Sequence, residues 1–273
     1  MKYTLLAIIP LLIIFSSCKQ KHNESEEHLI KGNDYVLNDD LDNALKEYQV
    51  ALRIDTANWR ASYELGGVYE LQGDFANALF YFNRAVQLNP KFTLGYYNKA
   101  NLEETMGDEK ASMKDLKTAV SNHKNFFLAQ IAVGRKEFSA GHVKEAIGAL
   151  DEAIKVRQDF YLPYSMRGSF KFQTGDVAGA IEDFNMEIKT LPDHAMGYVN
   201  RGVAHGELKD YHTAIADLDT AIRLDPKWSQ AYIYRGQFLA NVNSKDSACA
   251  DFNMAQAQHN PQADGYLKKY CGK

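Results

Sequence analysis

Small, large apolar and polar positions along the chain repeat with a period of 34 residues. From Ser25 onward, seven units of this length align without insertion or deletion. Gly or Ala stands at position 8 of every unit, and Ala or Ser stands at position 20. Large side chains recur at position 24, which holds Tyr48, Phe82, Leu116, Leu150, Phe184, Leu218 and Phe252. A period of this length predicts stacked helical hairpins.

Each unit predicts two antiparallel helices, A and B, joined by a tight turn. A mid-helix Gly costs about 1 kcal/mol relative to Ala, so its recurrence at position 8 indicates that the two backbones approach closely there. The side chain at position 24 then fills the space between units. Pairs such as Gly73-Asp74 end helix A with a residue that tolerates left-handed angles. Pro90, Pro192 and Pro226 end helix B.

This repeat resembles the tetratricopeptide repeat (TPR), and the resemblance covers Ser25 to Gln262. It implies an all-α, right-handed superhelical solenoid of seven TPR hairpins. Units three and four depart most from the pattern. Because the last repeat of an array needs a solvated cover, residues 263–273 are expected to form a capping helix and tail. The predicted units are 25–58, 59–92, 93–126, 127–160, 161–194, 195–228 and 229–262.

The first residues have the layout of a secretory signal, with a positive start, an apolar run and small residues before Cys18. The ending Ser16-Ser17-Cys18 resembles the lipobox of bacterial lipoproteins. This predicts a signal peptide over residues 1–17, lipidation of Cys18, and a polar tether over 18–24. The alternative is an ordinary signal peptide, with Cys18 incidental.

Charge and hydropathy narrow the expected partners. Loss of Lys2 with the signal peptide lowers the formal net charge from −4 to −5, which provides no basic field for nucleic acid. The apolar run of the signal is shorter than the roughly 20 residues that span a bilayer. We therefore expect attachment through lipid alone, in the bacterial envelope. The resemblance to lipoproteins, with Lys19 after the cysteine, favours the outer membrane.

Positions 7 and 23 vary together within each unit. Position 7 holds Lys31, Leu65, Lys99, Val133, Arg167, Arg201 and Arg235. Position 23 holds Glu47, Tyr81, Asp115, Ala149, Asp183, Asp217 and Asp251. A cation always meets an acid of its own unit, which predicts ion pairs within hairpins and argues against a row of ligand-binding arginines.

Cys249 and Cys271 are the two thiols that remain once Cys18 is acylated. An oxidising compartment favours a disulfide between them. The alternative is a pair of unbonded thiols.

Catalytic signatures are not found in the sequence. The eight histidines show no spacing suited to a metal site, and the glycines follow the repeat period rather than a phosphate loop. We therefore expect no enzyme activity, no metal and no cofactor.

The resemblance to TPR proteins implies a ligand groove lined by helix A at positions 2, 5, 9, 12 and 13. The aromatic candidates Tyr63, Tyr97, Phe138 and Phe172 are expected to form one continuous stripe along this groove. For positions 2 and 5, packing between hairpins is the alternative. The protein-binding candidates are Tyr63, Tyr97, Asn101, Ile131, Arg135, Phe138, Phe172, Met196, Val199 and Ile233.

Two functions remain open at this stage. The first is a non-catalytic scaffold or adaptor, tethered to the envelope, that binds a protein or peptide in its groove. The second is a pilotin-like or secretion-assembly lipoprotein that escorts an envelope subunit.

Overall fold

A computed structural model describes residues 8–272, with side chains described from residue 19 onward. Every regular element in this part of the chain is helical. The α-helices are α1 (Ile8–Leu37), α2 (Leu41–Ile54), α3 (Trp59–Leu71), α4 (Phe75–Leu88), α5 (Thr93–Thr105), α6 (Glu109–Asn122), α7 (Phe127–Ser139), α8 (Val143–Val156), α9 (Tyr161–Gln173), α10 (Val177–Thr190), α11 (Ala195–Glu207), α12 (Tyr211–Leu224), α13 (Ser229–Asn241), α14 (Lys245–Ala257) and α15 (Ala263–Tyr266). A π-helical turn, Leu267–Cys271, follows α15.

The chain forms two compact bodies, an N-terminal body up to Ala129 and a C-terminal body from Gln130. In the N-terminal body, α1–α2, α3–α4 and α5–α6 pack as hairpins, and each hairpin packs on the next through α2–α3 and α4–α5. In the C-terminal body, α9–α10, α11–α12 and α13–α14 do the same through α10–α11 and α12–α13. Within each body this order of contacts is that of stacked TPR hairpins, so the predicted all-α fold is confirmed.

The turn from helix A to helix B uses a left-handed residue at position 15 of every repeat. Four repeats have Gly there, such as Gly175 with φ of 91°. The other three have Asp39, Lys209 and Asn243, with φ near 60°. Only Gly adopts this conformation without steric cost. The sequence located the turns, but the glycine signal did not reveal that these three residues share the conformation.

Position 8 allows the closest contact within each hairpin. A Cβ built on Gly168 would lie 2.7 Å from Cε1 of Phe184, and one on Gly236 would lie 2.5 Å from Cε1 of Phe252. The ring at position 24 therefore occupies the space that the glycine leaves. Phe184 also reaches Ala204 of the following hairpin, as the sequence predicted. One side chain thus ties its own hairpin to the next.

Helix α1 begins at Ile8 and therefore extends beyond the N-terminal end of the first repeat. The segment 18–24, expected to be a tether, is therefore part of a helix. Residues 1–7 of the predicted signal peptide lie outside the described residues, as does the side chain of Cys18. None of the helices in the described part of the chain is both long enough and apolar enough to cross a membrane.

The C-terminal cap packs on the last repeat as a helical segment that changes from α to π geometry. Ala263 and Leu267 are buried against Ile233 and Phe252. Tyr266 stacks on Phe252 with ring centroids 5.2 Å apart. The expected single capping helix is thus α15 followed by the π-helical turn. Cys249 and Cys271 form a disulfide that joins α14 to this cap, with Cα atoms 5.9 Å apart.

Candidate functional site

The arginines at position 7 have structural partners. Nε of Arg201 donates to Asp217 at 2.9 Å, and Nε of Arg235 donates to Asp251 at 2.8 Å. The same pairing joins Arg167 to Asp183 and Lys99 to Asp115. Four of the five predicted pairs are confirmed.

The fifth predicted pair, between Lys31 and Glu47, is wrong. Glu47 contacts Nδ1 of His28 at 2.6 Å, while Lys31 is exposed. His28 lies one helical turn before Lys31, so it approaches the same carboxylate from a less exposed position.

These arginines also reach back to position 25 of the preceding repeat, a contact that the sequence did not indicate. Nη1 of Arg201 donates to Asn185 at 2.7 Å, and Nη1 of Arg235 donates to Asp219 at 2.6 Å. Each guanidinium also lies over a tyrosine of its own helix, 5.7 Å from the ring centre for Arg201 and Tyr198. Because their donors are engaged on both sides, these arginines join hairpins and are not available to a ligand.

In the N-terminal body, the tyrosines at position 5 pack on the last residue of their own repeat, next to the start of the following hairpin. Tyr63 lies edge-on to Phe92 with centroids 4.8 Å apart, and Tyr97 lies edge-on to Phe126 at 5.3 Å. Asn98 donates to the Tyr63 hydroxyl. Burial is the main cause that raises the pKa of Tyr63 to about 12, and the nearby carboxylate of Glu64 adds to it.

Tyr63 and Tyr97 are half-buried, and the other three position-5 candidates are buried. Ile131, Val199 and Ile233 keep 7%, 4% and 0% of their surface exposed. Ile233 faces the interior because the cap covers it, together with Leu267 and Phe252. Packing, which the sequence left open as an alternative, is therefore the role of position 5. Val199 also lines a cavity in the C-terminal body.

Candidates at positions 2, 9 and 12 keep more surface. Met196 is 41% exposed, Arg135 is exposed, and Asn101 is half-buried. Phe138 stacks face to face on Phe170 with centroids 3.8 Å apart, so one face of its ring is covered by the fold. The expected aromatic stripe from Tyr63 to Phe172 draws residues from both bodies and stays a prediction.

The C-terminal body contains a cavity of about 300 Å³ on the helix-A side of repeats 5 to 7. We call it the helix-A cavity. Only Phe172, Met196 and Val199 of the predicted set line it. The remaining lining residues are Ser169, Gln173, Phe184, Asn200, Val203, Trp228, Gln230 and Tyr234. None of the lining side chains carries a formal charge, so the cavity is apolar with neutral hydrogen-bonding groups.

Several of those polar groups are left unused by the fold. In the N-terminal body, Asn98 at position 6 is bonded to Tyr63 at position 5 of the preceding repeat. At the equivalent place in the C-terminal body, the preceding position 5 is Ser165, which interacts with Glu187. Asn200 consequently makes no side-chain hydrogen bond among the described residues. The same is true of the side chains of Trp228 and Tyr234.

A buried carboxylate lies on α10, one turn after the cavity-lining residue Phe184. Glu187 stands at position 27, where the other repeats have Ala, and it is fully buried. Its Oε1 lies 3.0 Å from Nδ1 of His194, and burial raises the pKa of Glu187. Gly197 gives it room, because a Cβ there would lie 3.2 Å from the carboxyl carbon. No cluster of three or more potential metal ligands occurs among the described residues.

The chain shares sequence features with known repeats. Tetratricopeptide repeat models match residues 59–92, 95–122 and 197–227, which fall within repeats 2, 3 and 6. No curated protein shows significant sequence similarity to the chain.

Solved TPR structures share its fold. A tetratricopeptide repeat protein from Parabacteroides merdae superposes with a TM-score of 0.63 and 20% identity, over 90% of this chain and 98% of its own. The C-terminal part of a TPR protein from Cytophaga hutchinsonii gives a TM-score of 0.73 and 13% identity, over 88% and 99%. YrrB, described as a TPR protein with an unusual peptide-binding site, gives 0.59 and 17%, over 67% and 95%. The chain therefore contains tetratricopeptide repeats and has the fold of TPR proteins.

Proposed function

We propose that the chain is a non-catalytic adaptor of the bacterial envelope that binds a segment of a partner protein in the helix-A cavity. The observation that carries this proposal is the set of unused polar groups in an uncharged, apolar cavity. Asn200 is half-buried and makes no side-chain hydrogen bond within the described part of the chain, so a ligand can bond to its amide without breaking a contact of the fold. An extended peptide offers both a backbone that hydrogen-bonds with Asn200 and apolar side chains that pack on Met196 and Trp228.

The absence of charge from the cavity lining defines the ligand further. A strongly acidic or basic segment would have to give up its hydration without gaining an ion pair. We therefore expect a neutral, apolar or aromatic segment. A few such side chains, buried at the centre of the contact, would dominate the binding free energy.

Variants of two methionines with similar exposure test the binding surface. Met196 lines the cavity and is 41% exposed, whereas Met254 lies on helix B of the last repeat and is 46% exposed. Met196→Ala combined with Asn200→Ala should lose the partner that crosslinking recovers from intact envelopes, with unchanged melting. Met254→Ala should retain it. Equal recovery from both variants would place the binding surface elsewhere.

Lipid attachment at Cys18 accounts for the envelope location in this proposal. Two or more acyl chains give stable anchoring where one does not. Cys18→Ala should move the protein from the membrane fraction to the soluble fraction. Sedimentation of that variant with salt-washed membranes would contradict the anchor.

The same variant separates an adaptor from a pilotin-like escort. An adaptor brings its partner to the membrane, so Cys18→Ala should leave an integral envelope protein in its usual place. An escort delivers such a protein, so the variant should remove an envelope subunit from the outer membrane. Loss of a subunit would favour the escort function.

A further inference from the structure

The helix-B surface between repeats 1 and 2 departs from the periodic pattern. Repeat 2 lacks the ion pair of positions 7 and 23, since it has Leu65 and Tyr81 there. It also has Arg84 at position 26, where no other repeat has a cation. The other repeats have Val50, Thr118, Glu152, Met186, Thr220 and Met254 at that position. Leu65 is buried on helix A, whereas Tyr81 and Arg84 both lie on helix B, where the acid of position 23 is absent and a base is added at position 26.

Tyr81 and Arg84 line a cavity of about 360 Å³ in the N-terminal body, which we call the arginine pocket. Its lining residues are Gln49, Leu52, Arg53 and Thr56 of repeat 1, with Tyr81 and Arg84 of repeat 2. No carboxylate is among them. The side chains of Gln49, Thr56 and Tyr81 can all donate hydrogen bonds, and Leu52 provides an apolar floor.

The two guanidinium groups have no counter-ion in the described part of the chain. Nη2 of Arg84 donates to the carbonyl of Thr56 at 2.8 Å, which orients the group without neutralising it. Arg53 is exposed and makes no ion pair with any described residue. Elsewhere Arg60, Arg167, Arg201 and Arg235 each bind a carboxylate. Two like charges that share one cavity repel each other, and an anion placed between them would reverse that cost.

Tyr81 is held in the pocket as a neutral donor. Its ring stacks on Tyr69 with centroids 5.6 Å apart and an interplanar angle of 8°. Burial raises the pKa of Tyr81, and this effect outweighs the opposing influence of Arg84. The hydroxyl therefore keeps its proton at neutral pH.

We propose that the arginine pocket binds a phosphate group carried by a ligand. Two guanidinium groups match the charge of about −2 that a phosphate monoester carries near neutral pH, and their planar donor pattern suits phosphate oxygens. A carboxylate has similar oxygen acceptors but only one charge. The cavity is larger than a phosphate ion, so Leu52 and Tyr81 remain available to the attached molecule.

Titration calorimetry of the full-length protein with inorganic phosphate tests this assignment. Sodium chloride should hold the ionic strength constant, and acetate should serve as the carboxylate probe. We expect saturable phosphate binding that is tighter than acetate binding. Arg53→Gln and Arg84→Gln should each weaken it by at least about tenfold, because each removes a charge-assisted hydrogen bond.

The matched control is Arg223→Gln. Arg223 stands at position 29 of repeat 6, as Arg53 does in repeat 1, but the residues that correspond to Gln49 and Tyr81 are there Asp219 and Asp251, which both bind Arg235. Its substitution removes the same charge and should leave phosphate binding unchanged. Absence of saturable phosphate binding would overturn the proposal. Equal weakening by all three variants would do the same, as would acetate binding tighter than phosphate.

Discussion

The ion pair between Arg201 and Asp217 allows a quantitative test of how the hairpins are held together. Two bonds join the side chains, at 2.9 Å from Nε and 2.6 Å from Nη2, and Asp217 is only 5% exposed. Arg201→Leu would leave this acid buried without its partner. Breaking a buried pair in this way costs about 3 kcal/mol, the lower end of the usual range, because the arginine keeps some contact with solvent.

The double variant should be less destabilised than the two single changes predict. Asp217→Leu alone leaves Arg201 bonded to Asn185, so we expect a cost of about 2 kcal/mol. With both changes neither charge of this pair remains. The loss of the Asn185 bond and of the contact with Tyr198 then costs about 2 kcal/mol. The cycle therefore predicts a coupling free energy of about 3 kcal/mol.

Equilibrium urea unfolding followed by circular dichroism measures this cycle. The m values of the four proteins must agree, because repeat arrays can unfold in parts. The matched control is the cycle of Lys31→Leu and Glu47→Leu, which should show almost no coupling, since Glu47 contacts His28 instead. Additive costs for Arg201 and Asp217 would show that the two side chains do not act as a pair.

Three further changes test the packing, the turns and the cap. Gly168→Ala should destabilise the protein by about 2 kcal/mol, because the added carbon would collide with Phe184. Gly148→Ala is the control: no atom lies within 4 Å of the added carbon, so this change should stabilise the protein by up to about 1 kcal/mol. Equal urea midpoints for the two variants would contradict the close approach. Lys209→Gly should raise the free energy of unfolding by about 1 kcal/mol by relieving a left-handed residue, while Lys209→Ala should give no gain in the same assay. Unreduced protein should yield the Cys249 and Cys271 peptides joined in mass analysis, and reduction should cost roughly 3 kcal/mol for a separation of 22 residues; full alkylation of both thiols without reductant would exclude the bond.

The sequence predicted the helices and their contacts well because each depends on local side-chain volume. Gly168 and Phe184 stand at positions 8 and 24, which hold a small and a large side chain in every repeat. The 34-residue period therefore already predicts their contact. The same holds for Arg201 and Asp217, whose charges vary together between repeats. Periodicity was less informative for Lys209. This residue adopts the left-handed conformation although it is not a glycine, so its residue type did not indicate the conformation.

The ligand surface was predicted only in part, because helix position alone does not separate packing from exposure. Val199 and Ile233 stand at position 5, yet what covers them is decided by neighbouring repeats and by the cap. Tyr97 and Phe138 pack on other rings, so we expect their joint substitution to lower stability before it affects binding. Asn200 was missed because its availability depends on Ser165, which replaces the aromatic partner found in the N-terminal body.

Site-directed photo-crosslinking tests most directly whether the helix-A cavity holds the partner. A photoreactive amino acid at position 196, on the cavity wall, is compared with the same residue at position 254 on helix B. The proposal predicts that light joins the partner to position 196 in intact envelopes and that Asn200→Ala weakens this product. A partner joined at position 254 and not at 196, in a protein of unchanged melting temperature, would contradict it.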